Sequence, residues 1–139
     1  WSETSTDFQK AFKDDRKSLK LMPKDYEKSL GGWHSRLYDR SEIPDGFGGA
    51  RIKTQIKTPE AATLSDIIDA MSKGTFQSDF YAWGHGKSYY KRSGSTYKET
   101  FANLYALRNT YLWKTVEADM PNLAREFDKI LEEVADASP

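Results

Sequence analysis

Apolar side chains recur at helical spacing near both ends of the chain. Phe8, Phe12 and Leu19 lie four and seven positions apart, which predicts a helix from Thr6 to Leu19 that ends before Pro23. Two long C-terminal helices are also predicted, one from Thr96 to Val116 and one that begins at Pro121. The apolar stripe of the last helix consists of Leu123, Phe127, Ile130, Leu131 and Val134.

Proline and glycine divide the first half of the chain into shorter segments. A helix over Lys24–Leu30 is predicted to close at Gly31-Gly32, because glycine readily adopts the left-handed conformation of a C-cap. Residues 39–50 contain Pro and Gly every few positions and predict a loop. Residues 51–58 alternate weakly between polar and apolar, which indicates one strand or an extended arm.

The middle of the chain combines one buried helix with an irregular stretch. Ser65 is predicted to cap a helix that stops at Gly74, and residues 75–95 show no regular period. Together these patterns predict an α+β fold that is mainly helical, with at most a small β-sheet and a long C-terminal helical pair. We expect one domain over residues 1–139, taken from a longer protein because the chain starts at Trp1 without Met.

Composition removes several classes of function. The chain has 139 residues, no cysteine and a net charge of zero, so disulfides, thiolate metal sites and a cysteine nucleophile are excluded. Zero net charge gives no general attraction to nucleic acid. No apolar run approaches the length of a membrane span, and we expect no membrane partner.

The region most suited to chemistry lies within residues 81–102, where His85 stands between Gly84 and Gly86. Histidine beside carboxylates and hydroxyls is suited to proton transfer or metal binding. Glu99 follows near the start of the next helix, where a capping box with Thr96 would also explain it. An exposed turn histidine is the alternative for His85.

Further candidates surround this stretch. His34 is the second histidine and is taken as a third catalytic candidate. Aromatic side chains alternate with cations near His85, a combination that holds anionic or stacked ligands unless the rings fill the core. The predicted substrate-binding residues are Trp83, Lys87, Tyr89 and Arg92. Asp66 and Asp69 are interpreted as first-turn charges of their helix.

Several motifs are absent from the chain. There is no His-Glu-x-x-His, no phosphate-binding Gly-x-x-x-x-Gly-Lys-Ser/Thr and no Gly-x-Gly-x-x-Gly after a strand. Gly-x-Ser-x-Gly is missing as well. These absences argue against the standard metalloprotease, nucleoside triphosphatase, dinucleotide-binding and serine hydrolase families.

Four segments together carry a resemblance to a known group of proteins: residues 64–71, 84–90, 99–105 and 120–131. Their order is similar to the C-terminal domains of polymorphic bacterial toxins and of phage head-associated, MuF-type toxins. In those domains a Tyr-Gly-His element precedes a Glu-x-Phe-Ala helix and a late helix that begins at proline. Several look like zincin-derived metallopeptidases.

The resemblance implies a hydrolase-type toxin that is secreted or delivered by a bacterium or phage and acts in the cytoplasm of a target cell. It matches Glu99 to a metal ligand and His85 to the loop histidine of the family. The zinc-binding helix would need His-Glu-x-x-His, and the nearest segment, His34–Tyr38, lacks both the glutamate and the second histidine. We therefore expect no metal and no cofactor.

Two other functions stay open at this point. A metal-independent ribonuclease would use His34 and His85 as acid and base, with Lys87 and Arg92 near the phosphate. Alternatively, the domain is not an enzyme and keeps a degenerate toxin-like fold for structure or partner binding. The expected partners are an immunity protein and a nucleic acid or protein substrate.

Overall fold

The computed structural model describes residues 5–92 and 94–137 and is mainly helical with one two-stranded antiparallel sheet. The predicted α+β class is thereby confirmed. In chain order the elements are α1 (Thr6–Ser18), α2 (Tyr26–Leu37), β1 (Tyr38–Pro44), β2 (Ala50–Ile56), α3 (Pro59–Met71), α4 (Thr75–Phe80), α5 (Lys87–Arg92), α6 (Thr96–Leu107), α7 (Trp113–Asp119) and α8 (Pro121–Ala137).

The core forms around α3. This helix buries apolar side chains on several sides and packs against α2, α4 and α6. Its fully buried apolar residues are Leu64, Ile67, Ile68 and Met71. Burial of such side chains contributes roughly 1.5–3 kcal/mol each to stability. The position of α3 in the core is therefore well defined. Within the described ranges, no helix is long and apolar enough to cross a membrane.

The two ends of the chain are joined by a buried carboxylate. Asp15 of α1 is fully buried, and its oxygens accept hydrogen bonds from Asn122 Nδ2 at 2.8 Å and from the backbone N–H of Leu123 at 2.7 Å. The first N–H groups of a helix have no partner within that helix. Asp15 therefore caps α8 from a neighbouring helix and fixes the position where α8 starts.

The glycine pair does not end a helix, contrary to the sequence prediction. α2 begins at Tyr26 and continues through Gly31 and Gly32 to Leu37. Leu30, Trp33 and Leu37 are buried at spacings of three and four along one face. The burial of this face offsets the roughly 1 kcal/mol that each glycine costs inside a helix.

A β-hairpin replaces most of the loop predicted over residues 39–50. β1 pairs with β2 from Tyr38 opposite Ile56 to Pro44 opposite Ala50, so the strand predicted from residue 51 is confirmed. Only the tip is a loop. The prediction failed because both faces of β1 are largely exposed, which removes the alternation that marks a half-buried strand.

The start of α3 also differs from the prediction. Thr58 caps the helix by accepting a hydrogen bond from the N–H of Ala61 at 3.0 Å, and Pro59 occupies the first turn. The helix therefore begins well before Ser65, although it ends before Gly74 as predicted. The stretch predicted to be irregular contains α4 and α5.

The predicted helix over 96–116 is broken into α6 and α7. Thr110 lies in the break, where its Oγ1 donates to the carbonyl oxygen of Leu107 at 2.8 Å and accepts from the N–H of Leu112 at 3.3 Å. Such local side-chain hydrogen bonds compete with helix continuation. The helical pair is therefore three helices, of which α8 starts at Pro121 as predicted.

Replacing Phe127 tests the packing of α8. Its ring is fully buried between the rings of Phe101 and Trp113. We expect Phe127→Ala to lower the free energy of unfolding by about 3–5 kcal/mol, measured in urea. Val134→Ala on the same helix, at a side chain that is 61% exposed, should change it by less than about 0.5 kcal/mol. Equal urea midpoints for the two variants would contradict this packing.

Candidate functional site

The segment 82–87, called here the His85 loop, is wrapped around the carboxylate of Asp69. Oδ2 of Asp69 accepts the backbone N–H groups of His85 at 2.8 Å and Gly86 at 3.0 Å, and Oδ1 accepts that of Gln77 at 2.9 Å. Asp69 is fully buried on α3. Burial raises its pKa, an effect that the three N–H donors partly offset. Through Asp69, helix α3 thus fixes the backbone position of the loop.

The glycines on either side of His85 are required by this close approach. A Cβ atom at Gly84 would collide with the Asp69 carboxylate. Gly86 has φ of +85°, and a Cβ there would lie 2.5 Å from Gln77 Oε1. The sequence predicts that these glycines leave room for a ligand, whereas Gly84 lets the loop approach Asp69 and Gly86 provides the positive φ of the turn.

Two further contacts hold the start of the loop. Trp83 donates its backbone N–H to the Tyr38 hydroxyl at 2.6 Å, and its carbonyl oxygen accepts from Ser65 Oγ at 2.7 Å. At the other end, the N–H of Lys87 donates to Ser78 Oγ at 3.0 Å. These bonds come from three different elements, so the loop has little freedom to move independently of the core.

His85 and Glu99 lie together, as the sequence predicted. Nε2 of His85 is 3.5 Å from Oε2 of Glu99, and both side chains are partly exposed, at 42% and 32%. The other carboxylate oxygen accepts from the Tyr89 hydroxyl at 2.9 Å, and the Tyr89 ring stacks on the imidazole at 4.2 Å. The three side chains form one connected group at the surface.

The capping box predicted for Glu99 is not formed. α6 begins at Thr96, so Ser95 occupies the N-cap position, and the Ser95 side chain makes no capping hydrogen bond. The Glu99 carboxylate instead contacts Tyr89 and His85. A carboxylate in a first helical turn is still favoured by the helix dipole.

Asp66 and Asp69 are not first-turn charges, contrary to the sequence prediction. α3 starts at Pro59, so both residues lie inside the helix. Burial raises the pKa of Asp66 from its ordinary value of 3.8 to about 6; His85 opposes this rise, and the carboxylates of Asp69 and Glu99 increase it. One sequence feature could have indicated that Asp69 is buried: it lies within the apolar run of residues 67–71. A charged side chain buried in such a run needs a hydrogen-bond or ion-pair partner.

Tyr90, a half-buried side chain, adds a buried hydroxyl to this group. Its ring is edge-on to His85, with centroids 6.2 Å apart. Its hydroxyl is buried without a hydrogen-bond partner among the described residues. Burial raises its pKa, and the carboxylates of Asp69 and Asp66 raise it further, so Tyr90 stays a neutral hydrogen-bond donor.

The structure does not bring His34 into this group. Its ring stacks on Tyr38 at 4.3 Å and meets Phe76 edge-on at 6.3 Å, and burial together with Arg40 lowers its pKa. Over residues 5–92 and 94–137 we find no contact from His34 to His85 or Glu99.

The predicted substrate-binding residues are distributed around the loop. Trp83 is 58% exposed. Lys87 pairs with Asp79, with Nζ 2.8 Å from Oδ2, so its charge is partly neutralised. Arg92 is exposed at the end of α5, where its Nε donates to the carbonyl oxygen of Ser88 at 3.3 Å. Tyr89 is engaged by the Glu99 carboxylate, as described above.

Neither comparison with known proteins nor the arrangement of possible metal ligands assigns a family or a metal site to the described residues. Matching the chain against protein-family models, curated proteins and solved structures gave no similar protein. The described part of the chain contains no group of three or more His, Asp or Glu side chains placed to hold a metal ion. The resemblance to toxin domains therefore stays an expectation from sequence.

The raised pKa of Asp66 predicts a specific dependence of stability on pH. A carboxyl whose pKa is higher in the folded state stabilises that state below its ordinary pKa, and this contribution is lost as pH rises through about 6. Asp66→Asn removes the titration. Relative to wild type, the variant should become more stable between about pH 4 and about pH 7, by up to about 2 kcal/mol for a half-buried group. Urea unfolding at both pH values measures this, and a constant difference would show an ordinary pKa.

Proposed function

We propose that this chain is a toxin-type effector domain of a larger bacterial or phage protein, and that it is a hydrolase. Its acid–base site is the group formed by His85, Glu99 and Asp66. The observation that carries the proposal is the approach of Nε2 of His85 to Oε2 of Glu99, at 3.5 Å, on a loop whose backbone is fixed by a buried carboxylate. The polymorphic toxin role, in competition between bacteria, rests on the sequence resemblance alone.

The chemistry assigned to His85 is general-base catalysis. A carboxylate beside Nε2 favours the tautomer that carries its proton there, which leaves the Nδ1 lone pair to accept a proton from an attacking water. Glu99 then stabilises the imidazolium that forms. The Tyr89 hydroxyl, 2.9 Å from Glu99 Oε1, holds the carboxylate in place while this occurs.

Asp66 is proposed as the proton donor to the leaving group. A carboxyl with a pKa of about 6 retains a useful protonated fraction near neutral pH, unlike an ordinary aspartate. Two titratable groups with different environments, close to each other, are the usual arrangement for paired acid and base roles. The electrostatic effects of His85 and Glu99 on Asp66 support this pairing.

The charges near His85 favour a peptide or other neutral bond over a phosphodiester. Asp66 and Asp69 both interact electrostatically with His85, and Glu99 is the ion-pair partner of His85. Carboxylates in this position repel the charge that develops on a phosphate. The ribonuclease alternative also relied on His34, which does not contact His85, and on Lys87, which pairs with Asp79. An immunity protein that covers His85 is the expected partner.

Growth inhibition tests the proposal. The chain is expressed in the cytoplasm of a bacterial host, where we expect wild type to arrest growth. His85→Gln should relieve the arrest, since loss of a general base costs about 10²- to 10⁴-fold in rate. Glu99→Gln should relieve it as well, because it removes the charge that stabilises the imidazolium. His34→Gln is the matched control and should stay toxic. Circular dichroism of each purified variant establishes that it is folded.

Hydrolysis by the purified chain separates the three functions. Cleavage of a mixed peptide library that is lost in His85→Gln supports the proposed hydrolase. Cleavage of RNA that is lost in the same variant would contradict our assignment and identify the ribonuclease alternative. A folded wild type that neither inhibits growth nor cleaves either substrate would favour the non-enzymatic domain.

A further inference from the structure

The hairpin of β1 and β2 exposes a complete sheet edge. Except for Tyr38 at its base, every residue of the two strands is exposed or partly exposed. The sheet contains two strands only, within the described residues. A two-stranded hairpin is marginally stable in water on its own, and an open edge is a template for pairing with another chain.

The hydrogen-bond phase of the hairpin determines which residues face outward. Lys57 donates its N–H to the carbonyl oxygen of Leu37, and Asp45 donates to that of Gly49. Bonded and non-bonded pairs alternate along an antiparallel ladder. Odd-numbered residues of β1 therefore bond to β2, and the backbone groups of Arg40 and Glu42 point away from it.

The outward-facing residues of β1 are complementary to themselves. Arg40 and Glu42 flank Ser41, so a two-fold axis at Ser41 would place each arginine opposite the glutamate of a second copy. We propose that the outer edge of β1 pairs antiparallel with β1 of a second copy of this chain, centred on Ser41. The pairing would form four backbone hydrogen bonds and two cross-strand ion pairs, and it does not depend on the function proposed for His85.

Three other registers of the same hairpin are disfavoured by charge. Centring the axis on Arg40 or on Glu42 would place like charges opposite each other. Pairing of two β2 strands centred on Lys53 would do the same with two lysines. Of the three β1 registers, only the one centred on Ser41 places Arg40 and Glu42 opposite each other.

The ends of β1 limit this interface and add one apolar contact. Pro44 has no N–H, so the new ladder stops there, opposite Tyr38 of the second copy. The tip beyond it is ordered by Asp45 Oδ1, which accepts from the N–H groups of Phe47 and Gly49. Phe47 is 94% exposed and would extend toward the body of the second copy. The interface is small, so we expect a weak dimer.

Sedimentation equilibrium over a hundredfold range of concentration tests the pairing. The mass of wild type should rise from 15.9 kDa toward twice that value. Arg40→Glu and Glu42→Arg should each associate more weakly than wild type, with a dissociation constant raised about tenfold or more by like-charge repulsion. An equimolar mixture of the two variants should associate, because every cross-strand pair is then of opposite charge. Lys53→Glu, on the other strand, is the matched control and should behave as wild type.

Three outcomes would overturn the proposal. Wild type that stays monomeric at every concentration would show that the edge is free or binds a different protein. Dimerisation of either single variant as strongly as wild type would place the interface elsewhere. Failure of the mixture to associate, with both variants folded by circular dichroism, would exclude the charge pairs as its basis.

Discussion

The buried carboxylate of Asp69 is the interaction on which the rest of the site depends. A polar group inside the core is unfavourable unless it is hydrogen-bonded, and Asp69 obtains three bonds from backbone N–H groups, two of which belong to the His85 loop. If the loop left, the buried carboxyl group would lose two of its three hydrogen bonds. A segment without regular structure is thereby given a fixed position, as a proton-transfer group requires.

One helix serves both the core and the site. α3 contributes fully buried apolar side chains such as Ile67 and Ile68, and the same turns carry Asp66 and Asp69. It also packs against α6, which carries Glu99. The relative position of the His85 loop and Glu99 is therefore set by packing between two helices, whose geometry is much more restricted than that of a loop.

Sequence patterns predicted those parts of the fold that local chemistry determines. The start of α8 at Pro121 and the end of α3 before Gly74 follow from residues that act within one turn. The proximity of His85 and Glu99 was also predictable, because few residues separate them. Interactions between distant residues were not predictable: Gly31-Gly32 stays helical because its neighbours are buried, and β1 is a strand because β2 pairs with it. The role of Asp69 depends on a loop sixteen residues later.

Amide hydrogen exchange measured by NMR tests most directly whether Asp69 holds the loop. In wild type, the amides of His85 and Gly86 should exchange slowly although the loop lies at the surface. Asp69→Asn keeps the shape of the side chain but has one acceptor oxygen instead of two, so exchange should accelerate either at the two loop amides or at the amide of Gln77. The amide of Leu123, which is bonded to Asp15, should be unaffected. Rapid exchange of the two loop amides in wild type, or unchanged protection of these amides and that of Gln77 in Asp69→Asn, would contradict the central role of this carboxylate.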